Sequence, residues 1–86
     1  MADRITAAVE QGIRMKDEVI ELIQRGGDAE SVCKLSRASK DLLHAQSLEC
    51  IETGAQDVWG IHHASYQVLC AVVDTWFAAQ KGGRNQ

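Results

Sequence analysis

The chain has 86 residues, 45% hydrophobic and 24% charged, with nine Lys and Arg against twelve Asp and Glu for a formal charge of −3. That is the length of one small domain with an ordinary globular balance, which argues against wholesale disorder. The acidic sum leaves no overall basic footprint for nucleic acid or an anionic membrane, and the absence of proline removes the strongest helix breaker.

The opening MADRITAAVE has no apolar run behind its charges, so no secretory leader is expected. The longest unbroken apolar stretch, Val68 to Val73, is six residues, far short of the ~20 that cross a bilayer. No membrane association is expected. The three cysteines, Cys33, Cys50 and Cys70, are odd in number and form no CxxC pair. Reduced thiols in a cytoplasmic protein are the economical reading.

Glycines divide the chain into three helical segments, 3–25, 29–53 and 55–81, in one domain (1–81) followed by a flexible tail (82–86). Gly26-Gly27, Gly54 and Gly82-Gly83 follow the periodic runs, where glycine supplies the left-handed residue that ends a helix. Asp3 and Asp28 stand where an N-cap is wanted.

In the first segment Ile5, Val9, Ile13, Ile20 and Ile23 share a narrow sector at 100° per residue, flanked by Val19 and Ala8 and interrupted by Gly12 and Lys16. This row is the expected core face. A lysine stem at position 16 can cover apolar surface while its ammonium reaches water. Glu10 with Arg14, and Glu21 with Arg25, stand at the i,i+4 spacing of weak ion pairs.

The second segment places Val32, Leu35, Leu42, Leu43 and Cys50 on one face, with Ser39 and Gln46 among them. Leu48, Ile51 and Cys33 point elsewhere. One long helix touched from two directions is expected in preference to a break near Ser36 to Ser39.

Residues 30–43 also resemble a helix-turn-helix, with Val32, Cys33, Leu35, Ala38 and Leu43 at packing positions. The resemblance implies, as the alternative function, a DNA-binding regulator that uses Arg37, Ser39 and Lys40. The turn position that usually holds glycine carries Arg37, and the acidic total opposes strong phosphate binding. Nucleic acid is therefore not the expected partner.

The third segment carries all four aromatic residues, and Asp57 and Asp74 are the only formal charges between Ala55 and Gln80. One stripe runs through Val58, Ile61, Ser65, Val68, Leu69, Val72, Trp76 and Ala79. A second contains Trp59, Tyr66, Cys70, Val73 and Phe77. Together they span roughly 200°, twice the arc that a surface helix needs.

Helices of this length with short connections must lie antiparallel to their sequence neighbours. An all-α, up-down-up three-helix bundle is expected, with the third helix nearest the middle. Two neighbours would leave the aromatic stripe uncovered. Trp59, Tyr66, Cys70, Val73 and Phe77 are thus the expected interface, through which the chain self-associates or binds another protein.

His62-His63 is the sole cluster resembling a metal site, but adjacent helical side chains diverge by about 100°. No metal or cofactor is expected. No GxSxG, phosphate-cradling glycine loop or HExxH occurs, and no enzymatic activity or small-molecule substrate is expected. The expected role is a small cytoplasmic interaction module, homodimeric, acting as an adaptor, inhibitor or chaperone-like regulator by helix–helix burial.

Overall fold

The structure, a computed structural model, describes residues 3–84, and for 81–84 the backbone alone. Three helices make up the regular structure of these residues: α1 (Arg4–Gln24), α2 (Ala29–Thr53) and α3 (Gln56–Arg84). Both expected N-caps form. The Asp3 carboxylate accepts the Ile5 amide at 3.0 Å, and the Asp28 carboxylate accepts the Ser31 amide at 2.8 Å. Hydrogen bonds from the Ser31 side chain and amide hold the Asp28 carboxyl below its ordinary range.

The first two helices stop as the glycines dictate. Gly26 and Gly54 have φ of 81° and 76°, the left-handed region open to a residue without Cβ. After α1, the Gly27 amide donates to the Leu22 carbonyl at 2.9 Å and the Gly26 amide to the Ile23 carbonyl at 3.0 Å. Ala55 and Gly54 repeat the pattern onto Cys50 and Ile51. These are paired Schellman closures that satisfy the terminal carbonyls.

Gly82 and Gly83 behave differently: α3 runs through them to Arg84, beyond the expected end at Lys81. Helical glycine is about 1 kcal/mol worse than alanine, which weakens a helix without obliging it to stop. Of the expected tail, residues 82–84 are thus helical, and 85–86 lie outside the described residues.

Side-chain pairings set the topology. Gly12 of α1 abuts Ser65 of α3, and Ile23 lies beside Trp76 and Phe77, so these two helices run parallel. Gln11 of α1 meets Gln46 of α2, and Leu48 and Ile51 of α2 lie beside Tyr66 and Trp59, so α2 opposes both. The fold is the expected up-down-up bundle. α3 packs along both siblings, which touch each other far less, within an elongated 50 × 22 × 16 Å envelope.

The core has two parts. Met15, Val19, Val32, Leu43, Leu69 and Val73 form the larger one, and Ala8, Cys50 and Val58 the smaller. Along the chain Gln11, Gln46 and His62 each fall between the two parts, one from each helix. The two glutamine amides hydrogen-bond reciprocally at 2.6 and 3.1 Å. His62 is buried with its Nδ1 unpartnered.

α2 is unbroken, and its buried face is unusually polar: Val32, Ser36, Ser39, Leu43 and Cys50. The Ser36 hydroxyl donates to its own helix, onto the Cys33 carbonyl at 3.1 Å, which makes its burial tolerable. Leu42, expected in the core, is exposed instead.

α1 departs most from expectation. Its buried residues are Ala8, Gly12, Met15 and Val19, a row roughly 90° around the helix from the isoleucine stripe. Ile5, Val9 and Ile13 stay exposed, and Ile20 and Ile23 are half-buried. The reason is steric. A Cβ added at Gly12 would fall on the Ser65 hydroxyl, so α1 approaches α3 along its smallest residues and the branched ones are left at the margin. Among the described residues Arg25 reaches Glu21 at 4.0 Å, while Glu10 and Arg14 do not pair.

Candidate interaction surface

The wide apolar arc of α3 is explained by its central place. The central line Val58, His62, Leu69 and Val73 is buried. On one flank Ile61, Ser65 and Val68 border α1; on the other Trp59 and Tyr66 border α2. The aromatic stripe is therefore not left uncovered as a unit.

Of the five residues expected at an interface, Val73 belongs to the core. Phe77 packs on the larger cluster and tilts against Trp76 at 4.8 Å between ring centres. Trp59 packs on the smaller cluster and stacks on His63 at 4.9 Å. Cys70 is half-buried, and only Tyr66 counts as exposed. Near Tyr66, exposed Leu48 and Ile51 of α2 complete a shallow apolar patch.

A more open groove lies between α1 and α3. Val9, Ile13 and Val68, which are 41%, 49% and 43% exposed, form its apolar lining with Ile61 and Ala64. Its two charged residues are Lys16 and Asp57. Lys16 is half-buried at the groove, its ammonium 3.4 Å from the carboxylate of exposed Asp17. Sequence reading missed this groove because it placed Val9 and Ile13 in the core. The signal was available in the small row Ala8 and Gly12, continued by Met15 and Val19.

The alternative reading loses its geometry. Residues 30–43 lie inside the uninterrupted α2, so the helix-turn-helix has no turn. Arg37 is exposed, Lys40 is half-buried and Ser39 is buried; the three do not share a solvent face.

The two adjacent histidines diverge as helical geometry requires: His62 points into the core and His63 onto Trp59. Burial pushes the His62 imidazole below its ordinary pKa, because the cation loses its hydration there. Among the described residues no three His, Cys, Asp or Glu side chains gather to hold a metal ion. The three cysteines are unpaired, with Cys50 buried. No helix of the described residues is long and apolar enough to cross a membrane.

What fold and surface define is an all-α three-helix bundle with a central C-terminal helix and open apolar grooves beside it. Comparison with protein-family models, curated proteins and solved structures finds no match for the chain.

Proposed function

We propose that the chain is a small protein–protein interaction module, not an enzyme, that works by helix–helix burial and takes a second copy of itself as partner. One observation carries the reading. The bulkiest apolar row of α1, through Ile5, Val9 and Ile13, is exposed, and Val9 and Ile13 line an open groove with Val68. Contiguous apolar surface of this kind on a small domain marks an interaction site. Branched side chains held on two helices are pre-ordered, so docking a partner helix there orders little that is free. The contact surface proposed is thus the α1–α3 groove in place of the aromatic stripe, of which Trp59, Val73 and Phe77 already pack within the protomer.

Sedimentation across a range of concentrations tests this. The wild-type chain is expected to pass from monomer to dimer. Ile13→Glu, at a half-exposed position, is expected to stay monomeric with its helical circular dichroism retained. A wild-type chain that remains a monomer throughout would refute the self-association.

A further inference from the structure

The groove carries its own register for a second copy, an inference that rests on the interaction reading above. Gly12 lies level with Ser65, and α1 and α3 run parallel. At 1.5 Å per residue, Asp57 therefore sits about 12 Å toward one end of the groove and Lys16 about 6 Å toward the other. Among the described residues these are the only charges along it, one of each sign at opposite ends of an apolar middle. Such a surface is complementary to itself. A two-fold axis crossing the groove midway between the two charges, about 3 Å from the Gly12–Ser65 level toward Asp57, sets apolar against apolar and brings each charge level with its opposite in the other copy. A parallel arrangement, by contrast, would keep the charges apart.

A second feature of the same strip agrees with this. Gly60 stands in the second turn of α3, where a Cβ would meet nothing within 4 Å. Nothing inside the protomer requires glycine there, yet glycine weakens a helix. With Ala64 one turn on, it leaves the groove wall low enough for another helix to come close.

We infer that the α1–α3 groove is a two-fold, antiparallel dimer interface in which Lys16 of each copy pairs with Asp57 of the other. Lys16 exchanges its exposed neighbour Asp17 for a partner across the seam, and the apolar residues between the two ion pairs lose contact with water. The pairs contribute chiefly orientation: exposed ion pairs add little affinity, whereas like charges brought together oppose it.

The test uses the full chain and two single variants, Lys16→Glu and Asp57→Lys, each checked for retained helicity at a concentration where the wild type is monomeric. In either variant alone both interfacial pairs become like-charged, and the dimer is expected to weaken roughly tenfold at low salt. An equimolar mixture of the two is expected to recover wild-type association. In the mixed dimer the introduced glutamate of one variant meets the introduced lysine of the other, and the remaining Lys16 meets the remaining Asp57. Weak variants rescued by mixing sustain the inference, and weak variants that mixing leaves weak overturn the pairing. A dimer indifferent to both substitutions but abolished by Ile13→Glu overturns this register and leaves the groove as the interaction site. A dimer indifferent to all three overturns the groove itself, and a chain monomeric at every concentration overturns the second copy as occupant.

Discussion

Gly12 and His62 are the residues at which the packing of this bundle is most open to test. Gly12 is buried against Ser65, where a methyl group has no room. Gly12→Ala gains helix propensity of about 1 kcal/mol but overpacks the contact by roughly 1–3 kcal/mol, so a net destabilisation is expected. In a domain this size each 1 kcal/mol lowers the melting temperature by about 4–8 °C. Ser65→Ala removes the nearest clashing atom and should recover part of the loss in a double-mutant cycle. Additive effects would show that the two helices do not meet there. His62 adds a pH dependence. Its folded pKa is depressed by burial, so the unfolded chain takes up the proton first as pH falls. Its contribution to stability is full above the unfolded value of about 6.5 and is lost as pH drops from there toward the folded value. Wild type should therefore lose more melting temperature than His62→Leu between about pH 7.5 and pH 5. Equal losses in the two proteins would refute that account.

At the scale of the helices, the consequential fact is which face each one buries. α1 turns its small row inward, α2 a row that includes two serines, and α3 a seam with siblings on both sides. The stability contributions should follow this assignment and not residue hydrophobicity. Leu69→Ala and Met15→Ala are each expected to remove about 2–5 kcal/mol, since both side chains are buried in the larger core. Ile13→Ala deletes a comparable side chain from a half-exposed position, and a loss below about 1 kcal/mol is expected in chemical denaturation of the monomer. A large loss at Ile13 would mean that the isoleucine row is core after all. Val73→Ala should behave as a core deletion, which separates it from the exposed Tyr66 that shares its stripe.

For the whole molecule, the elongated shape and small core limit what the protomer can bury alone. A chain this short hides only about 60% of the surface that its unfolded form exposes. Here exposed apolar side chains lie both beside Tyr66 and where α1 and α3 meet, and pairing two copies across the α1–α3 groove would hide the second of these surfaces. Thermal stability should therefore rise with protein concentration in the wild type and not in Ile13→Glu, as mass action requires of a folded dimer. Concentration-independent melting in both would argue against the pairing. Small size also accounts for the polar layer. With so few large side chains, Gln11 and Gln46 fill the middle of the bundle and satisfy each other.

The helices, their caps, the two glycine stops and the antiparallel order were legible in the sequence because each rests on local chemistry. Asp3 and Asp28 bond to amides two and three residues away, Gly26 and Gly54 adopt a backbone region closed to most residues, and short connections leave neighbouring helices one way to turn. Rotation of each helix about its axis was not legible. Hydrophobicity ranked the isoleucine row of α1 first, but close approach between helices is decided by volume, and Ala8 and Gly12 are smaller. Which apolar side chains the siblings cover is likewise a property of three helices at once. Only the assembled bundle could place Val73 inside, leave Ile13 at the surface and open the groove between α1 and α3.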